Sequence, residues 1–152
     1  MKKFTLLLLI LLLGLALPAC GKKDNPRPKD QEKLFAWKAA KGVLFSGTRD
    51  KAPVRCLAVT ADLTGAAHNV ERFLLEIEPQ TENVCKGCPF MPEEIITVTP
   101  QRVQTAGNTT RLSFEACPAQ SAPAYRWRLV AQSLFKSVPH VFSKIYFADS
   151  ER

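Results

Sequence analysis

Apolar and polar side chains alternate with a period of two along most of the chain beyond residue 50. Between residues 54 and 63, leucine, valine and alanine occupy one face, and cysteine, threonine and aspartate occupy the other. Such alternation is typical of a half-buried β-strand. The same pattern predicts strands over residues 72–78, 95–99, 110–117, 125–132 and 141–148, and a first strand within residues 35–45.

These seven segments are short, and glycine, proline, asparagine and aspartate separate them. Because no segment has a convincing helical period, the pattern predicts an all-β fold, a seven-stranded antiparallel β-sandwich. The chain has 152 residues, which suits one domain with attached segments. We therefore expect the sandwich to occupy residues 34–150.

The N-terminal segment has a different character. Lys2 and Lys3 precede an unbroken apolar run over residues 6–13, and small residues follow up to Cys20. The run is too short to span a membrane and is typical of an export signal. The residues Leu17-Pro18-Ala19-Cys20 resemble the lipobox of bacterial lipoproteins.

That resemblance implies a signal peptide over residues 1–19, removed by signal peptidase II, and a diacylglycerol and an N-acyl chain on Cys20. These covalent lipids are the only attached groups that we expect. Gly21 stands where aspartate marks inner-membrane retention in that family, so the resemblance implies an outer-membrane lipoprotein that faces the periplasm. An ordinary secretory signal and a Gram-positive cell surface are the alternatives.

Residues 20–33 are rich in charged residues and proline, and beyond Cys20 they contain no large apolar side chain. Such a segment buries too little apolar surface to compensate for the entropy that it would lose on folding, so we interpret it as a lipidated flexible tether. Removing Lys2 and Lys3 with the signal lowers the formal charge from +7 to +5. The basic balance alone would allow a nucleic-acid partner, but the predicted compartment argues against one.

The C-terminal part carries a second resemblance. Residues 125–135, Tyr-Arg-Trp-Arg-Leu-Val-Ala-Gln-Ser-Leu-Phe, followed by Ser137-Val-Pro139 and Ser143, resemble the F strand, FG turn and G strand of the fibronectin type III family. The resemblance implies that Tyr125 is a corner tyrosine, bonded back to the preceding connection. An immunoglobulin-like domain is the alternative fold.

Four cysteines remain once Cys20 is assigned to the lipid. An even number in an exported domain favours two disulfides, with three possible pairings. The fibronectin resemblance implies that Cys56 and Cys117 pair across neighbouring strands on the outer face, which leaves Cys85 to pair with Cys88. A redox-active Cys85/Cys88 pair and a zinc site that uses all four cysteines are the alternatives.

No catalytic motif occurs, and His68 and His140 have no suggestive neighbours, so the sequence predicts no enzyme, no catalytic residue and no metal site. A non-enzymatic envelope lipoprotein that binds an envelope protein or a glycan is the leading hypothesis. A periplasmic thiol-disulfide redox lipoprotein that uses Cys85 and Cys88 is the alternative.

Two candidate binding surfaces follow. Arg126 and Arg128 share one strand face, where they can pair with nearby glutamates or recognise an acidic partner, such as an anionic polysaccharide or a lipid A phosphate. Phe90 and Met91 lie in the long connection over residues 79–94. There they can contact a partner protein or fold under the sandwich as core.

Overall fold

The fold is described by a computed structural model, which covers residues 34–81, 87–136 and 138–149. The predicted signal peptide (1–19) and tether (20–33), with the lipidation site Cys20, lie outside the described residues. So does Cys85.

The described residues form two antiparallel sheets. One sheet has the strand order β1-β2-β6-β5; in the other the order is β4-β3-β7, and both β8 and β9 pair with β7. The predicted all-β sandwich is confirmed at this level. The nine strands of the described ranges are β1 (Phe35–Arg49), β2 (Ala52–Gly65), β3 (Val70–Gln80), β4 (Glu94–Val98), β5 (Arg102–Ala106), β6 (Thr109–Ala116), β7 (Ala124–Ser133), β8 (Val141–Phe142) and β9 (Tyr146–Asp149).

Two differences separate these nine strands from the predicted seven. Strand β5 was not predicted, because all five of its residues are exposed and its sequence has no apolar face. The segment predicted as one strand over 141–148 is divided into β8 and β9. At the break, Ser143 accepts the backbone N–H of Leu129 through its hydroxyl and returns its own N–H to the Leu129 carbonyl, each at 2.9 Å.

Tight turns close the two hairpins of the first sheet. Asp50 and Lys51 join β1 to β2 and have φ values of 51° and 68°, which is the positive-φ pair of a type I′ turn. The pairing of β2 with β6 begins at Leu57. The tip of the β1–β2 hairpin therefore extends beyond the sheet as a two-stranded arm.

The core lies between the sheets and contains the inward-facing residues of both. Trp127 is fully buried, and its ring stacks on Tyr146 with 4.8 Å between centroids. Gly42 of β1 lies against the same indole. The other large buried side chains include Leu57, Val59, Leu63, Leu75, Ile77, Leu112, Phe114, Tyr125 and Leu129.

The disulfide between Cys56 and Cys117 is present, with 4.1 Å between the two Cα atoms. It follows directly on the register of β2 with β6, where Leu57 lies opposite Ala116. Cys56 is on the outward face of β2, as predicted, yet it is completely buried. Strand β1 shields it, because Gly47 lies so near that a Cβ atom there would overlap the Cys56 sulfur.

Candidate functional site

Two arginines of β7 meet two glutamates of β3 on the outer face of the second sheet. The register places Glu76 opposite Arg128 and Glu78 opposite Arg126. The Arg126 Nη1 atom lies 3.3 Å from Glu78 Oε2, and Arg128 Nε donates to Glu76 Oε2. The two arginines are thus held in cross-strand ion pairs, one of the two arrangements expected from the sequence.

Arg126 also fastens the connection between β3 and β4 onto this face. Its guanidinium donates to the carbonyl of Cys88 at 2.9 Å and to that of Pro89 at 3.4 Å, and the side chain is buried, at 7% exposure. Glu78 accepts the backbone N–H of Met91 at 3.2 Å. One buried ion pair therefore fixes three backbone groups of the connection.

The aromatic ring of Phe90 covers this ion-pair centre. The Arg128 Cζ atom lies 5.1 Å from the centroid of Phe90 and 4.5 Å from that of Phe142, so the guanidinium contacts both rings. Arg126 lies 5.7 Å from the Phe90 centroid. Such cation–π contacts stabilise by about 0.5–2 kcal/mol each, the larger values where the cation is desolvated. Phe90 is half-buried against the outside of the sheet, not inside the core.

Exposed apolar side chains surround the centre. Met91 is 70% exposed. Ile95 lies opposite Glu76 on β4, and Phe147 lies opposite Arg126 on β9. We use the name "loop face" for the surface formed by Phe90, Met91, Ile95, Arg126, Arg128, Phe142 and Phe147.

The four residues that the sequence marked as candidate binding residues, Arg126, Arg128, Phe90 and Met91, thus lie together. Sequence reasoning missed the other three members of the loop face. They could have been found as apolar residues at outward-facing strand positions, as at Ile95. Those positions can be recognised only once the pairing of the strands is known.

Cys88, at the edge of the loop face, is disulfide-bonded. Its predicted partner, Cys85, lies outside the described residues. Because Cys56 and Cys117 are joined to each other, their sulfurs are not thiolates that could complete a zinc site with the other two cysteines. Within the described ranges, no three His, Cys, Asp or Glu side chains cluster as metal ligands would.

Tyr125 makes the hydrogen bonds implied for a corner tyrosine. Its hydroxyl accepts the backbone N–H of Ala122 at 2.9 Å and lies 3.0 Å from the carbonyl of Gln120, to which it donates. Both partners belong to the connection between β6 and β7. Burial raises the pKa of the Tyr125 hydroxyl above its ordinary value.

On the outer face of the first sheet, Arg111 donates to both carboxylate oxygens of Asp62, at 2.8 and 3.1 Å. The hydrogen bond from Arg111 lowers the pKa of the Asp62 carboxyl. Because Arg111 is exposed, solvent screening limits the contribution of this pair to stability.

The chain has no significant match among family models, curated proteins or solved structures. In the described part of the chain, no helix has the length and apolar character needed to cross a membrane.

Proposed function

We propose that this chain is a non-enzymatic lipoprotein of the bacterial cell envelope, and that its β-sandwich binds an envelope partner through the loop face. The observation that carries the binding role is the contrast between a partly buried, paired Arg–Glu centre and the exposed apolar side chains around it. Rigid apolar groups on a fastened connection are typical of protein contacts. An envelope protein therefore fits this surface better than an anionic glycan, because Arg126 and Arg128 are already paired.

A fibronectin type III or immunoglobulin-like assignment belongs to this proposal. Two antiparallel sheets in the orders β1-β2-β6-β5 and β4-β3-β7-β8 support it, because A-B-E-D and C-F-G are the sheet orders of immunoglobulin-type sandwiches. The bonds of Tyr125 to the connection before β7 support it as well.

The anchor is proposed from the N-terminal sequence: lipid on Cys20, a tether to residue 33 and attachment to the outer membrane. Replacing Cys20 by serine in the full-length chain should abolish labelling with radioactive palmitate and release the protein from the membrane fraction. Replacing Cys88 by serine is the matched control and should leave labelling intact. Equal labelling of the two variants would refute the lipid anchor.

The loop face can be tested by photo-crosslinking in the native envelope. A photoreactive amino acid at Met91 or Ile95 should give a discrete crosslinked species, whereas the same group at Thr60, which is exposed on the opposite sheet, should not. Crosslinks of equal yield from Thr60, or none from Met91 and Ile95, would contradict the proposal.

The role of Arg126 in holding the connection can be tested in the same assay. The Arg126→Met substitution removes the donors to the Cys88 and Pro89 carbonyls, so the crosslink from Met91 should weaken sharply. Arg72→Met is the matched control, because Arg72 forms an exposed ion pair with Glu71. Unchanged crosslinking in Arg126→Met would show that the hydrogen bonds from Arg126 to the connection do not position the loop face.

A further inference from the structure

Strand β5 is an exposed edge of the first sheet. It ends the first sheet, and in the described ranges only β6 pairs with it. Natural edge strands are commonly blocked by proline, a bulge or several charges. Among its five exposed residues β5 has no proline, its register with β6 is regular, and Arg102 is its one charged residue. An irregularity lies just before the strand, where the Gln101 N–H donates to the carbonyl of Ser113, the residue opposite Arg102.

The turn that closes the β5–β6 hairpin defines which backbone groups face outwards. Ala106 lies opposite Thr109, and the two turn residues between them begin with Gly107 at a φ of 58°. A two-residue hairpin closes on a hydrogen-bonded pair, and such pairs alternate along the strand. The N–H and C=O groups of Val103 and Thr105 therefore point away from β6, toward the open edge.

The side chains of these same two residues point into a cleft. Val103 and Thr105 lie opposite Leu112 and Thr110, on the inward side of the sheet, yet Val103 is 60% exposed. The other sheet leaves them uncovered, since β4 ends at Val98. The resulting cleft has a volume of about 610 Å³ and includes Phe73, Leu112 and Pro100 in its lining.

The cleft has no carboxylate among its lining residues. The one charged residue of β5 is Arg102, which lies on the face of the strand opposite to Val103 and Thr105. An acidic side chain on the outer face of an added strand would therefore complement Arg102.

We propose that an extended segment of another protein adds to β5 as a further antiparallel strand, with alternate apolar side chains in the cleft and an acidic residue beside Arg102. Free main-chain groups supply the affinity in this mode of recognition, and the pocket beside them supplies the specificity. The site is separate from the loop face and does not depend on lipidation.

A fluorescent synthetic peptide tests strand addition on the full-length chain in detergent. The peptide alternates valine and threonine over seven residues and ends in two aspartates; the control peptide has the same sequence with N-methylated central residues, which cannot join a sheet edge. We expect the first peptide to bind and the second not to bind, as measured by fluorescence anisotropy. No binding of the first peptide up to about 1 mM, or equal binding of both, would overturn the proposal.

Matched variants at Thr105 locate the site. Thr105→Pro removes an outward N–H while leaving the backbone bonds to β6, which is where proline is tolerated in a sheet, and should weaken peptide binding about tenfold. Both Thr105→Pro and Thr105→Val lose the side-chain hydrogen bond to Thr110, so it does not distinguish them. Thr105→Val keeps the N–H and should bind like the wild type. Equal binding by Thr105→Pro and Thr105→Val would refute strand addition at β5.

Two further results distinguish strand addition at β5 from peptide binding at the loop face and from dimerisation. Met91→Asp should leave peptide binding unchanged, because it alters the loop face and not β5. A loss of binding would show that the peptide binds the loop face, and the proposal would be wrong. If the wild type instead dimerises in sedimentation experiments, binds no peptide and becomes monomeric on Thr105→Pro, the edge belongs to a second copy of this chain and the proposal is wrong.

Discussion

Gly42 controls how closely β1 approaches the core tryptophan. A Cβ atom at this position would lie 2.7 Å from Cζ2 of Trp127, well inside van der Waals contact. The indole is fully buried, and its Nε1 atom has no hydrogen-bond partner among the described atoms. The ring is thus held by packing alone, with little room to shift.

The Gly42→Ala substitution should therefore lower the free energy of unfolding by about 1–3 kcal/mol, the usual cost of overpacking a core. Urea denaturation monitored by tryptophan fluorescence measures this change. Gly87→Ala is the matched control, because a Cβ atom there meets nothing within 4 Å. A similar loss in both variants would contradict the packing of Gly42 against Trp127 as the cause.

Tyr125 provides a second prediction at the scale of one residue. Tyr125→Phe leaves the buried N–H of Ala122 without its acceptor, so it should cost about 1–3 kcal/mol of stability. The pKa of Tyr125 is raised in the folded state, mainly by burial. The contribution of the protonated Tyr125 hydroxyl to the free energy of unfolding is therefore fully present below the tyrosine pKa of the unfolded chain, near 10. It is lost as the pH rises through the higher pKa of the folded state.

Urea denaturation between about pH 8 and pH 11 checks both parts. The difference in unfolding free energy between wild type and Tyr125→Phe should be constant at the lower end and shrink above about pH 10. A difference that does not change with pH would show that Tyr125 has no part in the alkaline decline of stability.

At the scale of the elements, alternation located the strands that have one face in the core. The predicted segments 54–63, 72–78, 110–117 and 125–132 overlap β2, β3, β6 and β7. Strand β5 was not predicted, because its inward-facing residues, Val103 and Thr105, lie over a cleft and not in the core. Its sequence therefore does not need to alternate apolar and polar residues, and it has no such pattern.

Four of the seven members of the loop face were predictable from the sequence, and their arrangement was not. Sequence spacing placed Arg126 and Arg128 on one face, but their registration with Glu78 and Glu76 depends on how two distant strands pair. The hydrogen bond from Arg126 to the Cys88 carbonyl could not be predicted from the sequence, because every residue has a carbonyl group. Only the tertiary structure specifies which carbonyl is used.

At the scale of the whole molecule, the Cys56–Cys117 disulfide closes a long stretch of chain. Its sequence separation is 61 residues, so the chain-entropy model gives a stabilisation of about 4 kcal/mol. The double variant Cys56→Ala/Cys117→Ala should lose stability of this order in urea denaturation. A loss below about 1 kcal/mol would indicate that the sheets alone constrain this stretch.

The length of β1 has a mechanical consequence. With fifteen residues, from Phe35 to Arg49 at the hairpin tip, it extends about 45–50 Å. The end of the loop face that contains Arg126 lies toward the tip, since the hydroxyl of the adjacent Tyr125 lies 3.5 Å from the Arg55 carbonyl. Phe142 lies nearer the start of β1, where the Trp37 indole donates to the carbonyl of Val141. A pull between a partner held at the Arg126 end and an anchor at the N-terminus would run along the strands.

Antiparallel hydrogen bonds lie perpendicular to their strands. Such a force would shear the β1–β2 ladder, from the pair Phe35 and Gly65 to the pair Arg49 and Ala52, instead of unzipping it from one end. The load would be shared by many bonds at once. Given the proposed anchor and the proposed partner, the architecture is suited to withstand tension between them.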